Sequence, residues 1–187
     1  LLDGITGYAT FPADFDTYPL FDGVVIDKQA FGRVGGTDPG FDKGRTATHE
    51  IGHGLNFLHL WGSKNDNSDC NDDDLVGDTP KQKFYNLACP NFPELINKCN
   101  ISDQSTMFMN YMDYVDDNCY NLFTNGQRLR ARALFSPGGT HTREQHLNNW
   151  FKVRQKVNPI RCGDMIYSSP ACLPTTWTIL SGPANIL

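Results

Sequence analysis

Short apolar-rich stretches bounded by Pro, Asp and Gly open the chain. TGYATFP (6–12) and GVVIDKQAF (23–31) have this form and predict two strands. GGTDPGFDKG (35–44) carries turn formers and predicts a loop. A helix is expected from near Thr46 through His49 and His53. From Trp61 to about Tyr120 the chain is rich in Asn, Asp, Pro, Gly and Cys, with no sustained period. That stretch predicts irregular structure. TNGQRLRARALF (124–135) predicts a helix: Thr124 and Gln127 have capping-box spacing, and Leu129, Ala133 and Leu134 fall on one face. Ser136-Pro137-Gly138-Gly139 ends it. TREQHLNNWFKVRQK (142–156) predicts a second helix, with Thr142 and Gln145 in the cap positions. Beyond Asn158 the chain reads as loop. TTWTILSGPANIL (175–187) reads as a short strand, a turn and the start of another strand. No internal repeat is present.

At 187 residues the chain suffices for one domain with a core, or one domain plus a short extension. A net charge of −5 gives no support to nucleic-acid binding. No apolar run approaches the ~20 residues of a membrane span. The acidic residues cluster in NDNSDCNDDDLVGD (65–78), which is either a solvated loop or an ion site. Leu1-Leu2 is neither an initiator methionine nor a signal peptide, and the expectation is a piece of a longer protein, with any targeting signal outside it. Cys70, Cys89, Cys99, Cys119, Cys162 and Cys172 are even in number and contain no C-x-x-C pair. Three disulfides in a secreted or cell-surface protein fit this better than reduced thiols in the cytosol, but spacing alone does not choose the pairing.

HEIGHGLNFLH (49–59) holds three of the five histidines. His49 and His53 lie one helical turn apart on one face, so both imidazoles can reach one ion. Glu50 can reach water at that ion. His59 cannot join them if the helix continues, because ten further residues mean about 15 Å of rise. The helix must end just after His53 and the chain must turn back, which usually needs a left-handed residue at the C′ position. Asn56 stands there. Asparagine tolerates positive φ at about 1 kcal/mol relative to glycine, against ~10 kcal/mol or more from zinc. The turn is therefore expected to form. Three imidazoles leave a fourth position for water, as in catalytic rather than structural zinc sites. With Glu50 as general base, the expected chemistry is peptide-bond hydrolysis without a covalent intermediate.

HEIGHGLNFLH resembles the long zinc motif of the metzincin peptidases, and NYMDYVDDNC (110–119) resembles their Met-turn. Together with DGVVID, GRTATHEIGH, GDTPKQ and FTNGQ, these motifs resemble the pappalysin family, in its ulilysin-like or cytophagalysin-like branch, over roughly residues 5–136. The resemblance implies an α/β (α+β) metzincin-like zincin. A mixed sheet and the active-site helix would lie above, with an irregular, disulfide-stapled lower part carrying the Met-turn and a C-terminal helix. The N-terminal part of the fold would be missing. The division expected is a catalytic domain over 1–140 (subdomains 1–56 and 57–140), a helical or loop extension over 141–176, and a following β domain or linker from 177 to 187. Met112 would floor the histidines, and Tyr114 would bind the tetrahedral intermediate. The implied disulfides are Cys70–Cys99 and Cys89–Cys119, leaving Cys162–Cys172. Asp74, with backbone oxygens of Gly77 and Thr79, matches the family's calcium-binding stretch. Asp117 would select Arg or Lys immediately after the cleaved bond, with Asp116 the alternative one residue away.

The leading expectation is thus a secreted zinc endopeptidase acting on proteins or peptides. The rival is a zinc-bound but inactive peptide-recognition module of a larger secreted protein, for which Asn56 is the foothold and against which Glu50 argues. A calcium-stapled structural domain with fortuitous histidines is the third reading.

Overall fold

The computed structural model describes residues 4–15, 17–33, 35–63 and 70–136, and the backbone of 161–162 and 165–166. The chain divides into two compact units, Leu1–Glu144 and Gln145–Leu187.

The first unit opens with β1 (Gly7–Ala9), which leads at Pro12 into the one-turn helix α1 (Pro12–Phe15). Proline has no N–H for a ladder but suits the first helical position, so the predicted strand stops early. β2 (Val24–Ile26) pairs antiparallel with β1 in the register Gly7↔Ile26, Tyr8↔Val25, Ala9↔Val24. It too is shorter than expected, because the Asp27 carboxylate accepts from Gln29 N–H and starts a 3₁₀ turn over Lys28–Ala30. Among the described residues this sheet has two antiparallel strands and none of the expected mixed character.

Helix α2 (Arg45–Gly54) packs against both strands. Its N-cap, Gly44, has φ +72° and no side chain with which to cap. Asp117 supplies the cap from far along the chain, its Oδ2 accepting from Lys43 N–H (2.7 Å) and Arg45 N–H (3.1 Å). The other end closes as a Schellman motif. Asn56 takes φ +69°, Asn56 N–H donates to His53 O (2.8 Å), and Phe57 N–H donates to Gly52 O (2.9 Å). Arg130 Nε–H then donates to the Asn56 carbonyl at 2.6 Å.

From Trp61 to Tyr120 the described residues form turns, bends and isolated bridges only. Cys70–Cys99 and Cys89–Cys119 are disulfides with sequence separations of 29 and 30. Each is worth about 3–4 kcal/mol in the chain-entropy model. Buried polar groups knit the rest: the Asp113 carboxylate accepts from Asn86 N–H, Asn86 Nδ2, Gln82 Nε2 and Tyr114 N–H. The apolar core is small, formed by Phe57, Leu60, Trp61 and Met112, with a second cluster of Phe108, Val115 and Tyr120.

Helix α3 (Asn125–Ala133) carries the capping box expected of Thr124 and Gln127. Its inward face differs from the expectation. Leu129 is 59% exposed and Ala133 is also exposed, while Gln127 and Leu134 are buried. Gln127 turns inward because its amide exchanges two hydrogen bonds with that of Asn110, at 2.8 and 3.1 Å. A satisfied amide pair outweighs the apolar preference of Leu129 for that position.

In the second unit, β3 (Arg161–Cys162) pairs antiparallel with β4 (Met165–Ile166), where the composition predicts loop. The helix expected over 142–156, the Cys162–Cys172 disulfide and the terminal strands over 175–187 lie outside the described residues. Among the described residues no helix is long and apolar enough to cross a membrane.

Candidate metal centre

The Schellman turn after α2 returns the chain so that His59 meets the two helical histidines. The Nε2 atoms of His49, His53 and His59 lie 3.1, 3.1 and 3.3 Å from one another. On the far sides of two rings, His49 Nδ1 faces the Tyr111 carbonyl at 2.6 Å and His53 Nδ1 faces the Phe57 carbonyl at 2.8 Å. A carbonyl only accepts, so each of these Nδ1 atoms carries the proton and each Nε2 presents a bare lone pair. Lone pairs converging at such distances repel unless a cation sits among them. A tetrahedral zinc with Zn–N of about 2.0–2.1 Å requires N···N separations of about 3.3–3.4 Å, close to those observed. The donor set therefore fits zinc.

Electrostatics favour the same state. Burial holds His49 and His59 well below the usual imidazole range, with neighbouring imidazoles adding to the effect. Burial also lowers His53, partly offset by its hydrogen bond to Phe57. All three are neutral ligands at neutral pH. Glu50, one residue along the helix, is buried, and burial pushes its carboxyl up to about 7. Its Oε2 is buried without a partner.

Three supports under the triad come from residues whose types alone do not announce the role. A Cβ on Gly52 would stand 2.5 Å from Met112 Sδ. The glycine between the two helical ligands thus lets the fully buried Met112 lie directly against α2. Trp61 is fully buried and stacks on His59, with centroids 4.5 Å apart and planes at 10°. Asp117 caps α2 as described. A glycine inside a short helix costs about 1 kcal/mol and is a signal of close approach. The Trp61 and Asp117 contacts carry no comparable local signal.

His49, Glu50, His53, Asn56, His59 and Tyr114 line one cleft of about 830 Å³. The Tyr114 ring lies 5.6 Å from that of His49 and 4.8 Å from that of His59. Burial and the nearby Glu50 push its phenol up to about 12, so it stays protonated. Asp117 does not line this cleft. Its Oδ2 is committed to α2, and its Oδ1 is buried without a partner. Asp74 and Thr79 are joined elsewhere: Asp74 Oδ1 accepts from Thr79 Oγ1 (2.7 Å) and Val76 N–H (3.1 Å), and Gly77 lies on the exposed part of the same turn. Asp74 Oδ2 is buried and unpartnered. Among the described residues the three histidines are the only group of His, Cys, Asp and Glu placed to hold an ion between them.

Comparison with known proteins gives consistent matches. The family profile described as pregnancy-associated plasma protein-A matches residues 35–136. An extracellular metalloprotease of Pyricularia oryzae is 38% identical over 138 residues, 71% of this chain and 44% of that protein. One from Verticillium alfalfae is 36% identical over 142 residues, covering 73% and 46%. Among solved structures, mature mirolysin of Tannerella forsythia in complex with a cleaved peptide matches with a TM-score of 0.69 and 49% identity, over 75% of this chain and 52% of that one. The chain spans about half the length of these relatives.

Proposed function

Because the chain belongs to the pappalysin peptidase family, we propose that it forms the zinc-binding part of a secreted metalloendopeptidase. The observation that carries this is the triangle of three converging Nε2 atoms with a buried carboxylate one residue away. His49, His53 and His59 would hold the ion, which when bound supplies a Lewis acid for a peptide carbonyl and a more acidic water. Glu50 acts as general base, its free Oε2 taking a proton from the attacking water and delivering it to the leaving nitrogen. Tyr114, a phenol at neutral pH, donates to the developing oxyanion. Met112 plays the part of the Met-turn residue, an apolar floor with no bond to the metal. The extracellular setting follows the names of the fungal relatives and the two disulfides.

Finer features belong to the same reading. Asp117, which caps α2 and lies outside the cleft in this structure, gives a preference for Arg or Lys after the scissile bond; its position five residues past Met112 in the resembling motif carries this reading. Asp74 contributes to a calcium site with the Gly77 and Thr79 carbonyls, supported by its own orphaned Oδ2 and by the fit of hard oxygens to that ion. The catalytic domain occupies 1–140, with 141–176 an extension. The rival reading, an inactive recognition module, loses its foothold because Asn56 makes the turn.

The test is zinc content and peptide-library cleavage by the full-length protein and by Glu50→Ala. The reading expects one equivalent of zinc in both and a loss of turnover of ~100-fold or more in the variant. Equal zinc with no cleavage by either would establish the recognition module instead.

A further inference from the structure

β1 runs across the carboxylate of Glu50. A Cβ built on Gly7 would stand 2.8 Å from Glu50 Oε1, 2.9 Å from Glu50 Cγ and 2.9 Å from the Val25 carbonyl oxygen. Real Cβ atoms essentially never approach so closely, so something would have to move. The strand is poorly placed to do it. Gly7 is paired with Ile26, and the ladder is closed beyond both ends by Asp27 N–H to Thr6 O (2.8 Å) and Thr10 N–H to Gly23 O (3.1 Å). The Val25 oxygen is backbone of the partner strand. Glu50 is the softer neighbour, since its carboxylate turns about single bonds and its Oε2 has no hydrogen bond to hold it.

The geometry points to Gly7 as a positioning residue for Glu50, which we propose is glycine so that the carboxylate can lie between α2 and β1, beside the three imidazoles. Gly7 is not in the left-handed region, so its need for glycine comes from space rather than φ. The inference rests on the proposed role of Glu50 for its catalytic consequence, but the contact itself can be tested independently of catalysis. An added methyl displaces the carboxylate by several tenths of an ångström. Misplacement of a reacting group by about 1 Å costs on the order of 100-fold in rate, so about 10-fold is expected here.

The experiment compares four zinc-loaded, full-length proteins: wild type, Gly7→Ala, Glu50→Ala and the double variant. In Gly7→Ala, kcat should fall about 10-fold, with zinc content unchanged and KM within about twofold. The melting temperature should fall in Gly7→Ala and recover part of that loss when Glu50 is also alanine, because two of the three close contacts are with the removed side chain and the third, with the Val25 carbonyl, remains. This coupling is read by thermal unfolding, so it stands even if Glu50 proves not to be the base. An equal loss of melting temperature in both backgrounds, or failure of the double variant to fold where Glu50→Ala folds, would place the clash at Val25 and overturn the proposal. A rise in KM with kcat unchanged would also overturn it, since that marks a contact with substrate.

Discussion

Replacing Gly52 by alanine tests how closely α2 rides on Met112. On helix propensity alone the change stabilises by about 1 kcal/mol. The new methyl, however, would lie 2.5 Å from Met112 Sδ and 3.2 Å from Phe57 Cδ2. Ordinary contact is about 3.5–4.0 Å, so the sulfur must retreat by roughly 1 Å. It has nowhere to go, since Met112 is fully buried and its N–H is tied to Asn110 Oδ1 at 3.0 Å. Overpacking of this kind costs about 1–3 kcal/mol, leaving a net loss of about 1 kcal/mol and a drop in Tm of roughly 2–4 °C. Met112→Ala alone should cost about 2–5 kcal/mol through the cavity it leaves. In the double variant the methyl introduced by Gly52→Ala is no longer opposed by Met112 and keeps only the tight contact with Phe57, so most of its penalty should disappear. Denaturant unfolding of the four proteins measures the coupling, expected at about 1 kcal/mol or more. Additivity within about 0.3 kcal/mol would refute the claim that Gly52 exists to admit Met112.

Three further outcomes follow from residues around the site. Asn56→Gly should stabilise by up to about 1 kcal/mol, while Asn56→Val should cost about 2 kcal/mol and weaken zinc binding; titration calorimetry and thermal melts read both. The cleavage-site profile of the full-length protein should favour Arg or Lys after the scissile bond and lose that bias in Asp117→Asn but not in Asp116→Asn; a wild-type profile dominated by Leu or Phe would exclude the assignment. Removing calcium with a zinc-sparing chelator should lower the melting temperature and expose the loop around residue 74 to proteolysis, and Asp74→Ala should do the same; unchanged melting in both would leave the acidic run a solvated loop.

The parts of the site visible in the sequence are those written in local spacing. His49, Glu50 and His53 depend on one helical turn, and the return of His59 follows from the impossibility of reaching it by helix. The capping box of α3 is equally local. What the spacing cannot supply is contact between distant segments. The cap on α2 comes from Asp117, 72 and 74 residues beyond its partners, and Gly44 indicates only that a side-chain cap is lacking. The inward turn of Gln127 depends on Asn110, 17 residues away. A pattern that counts apolarity and cannot see amide pairs therefore puts Leu129 on the wrong face. The disulfides are legible only through family resemblance, since no arithmetic on six cysteines selects a pairing.

The hydrogen bond from Arg130 to the Asn56 carbonyl spans 74 residues of chain. At a synthesis rate of about 5–20 residues per second, the turn that brings His59 home waits roughly 4–15 s for the residue that clamps it. The Tyr111 carbonyl, which orients His49, arrives 62 residues after its ligand. A nascent chain therefore carries its histidines early and its metal-binding geometry late. Neighbouring chains still emerging from synthesis meet a finished centre only once α3 has docked.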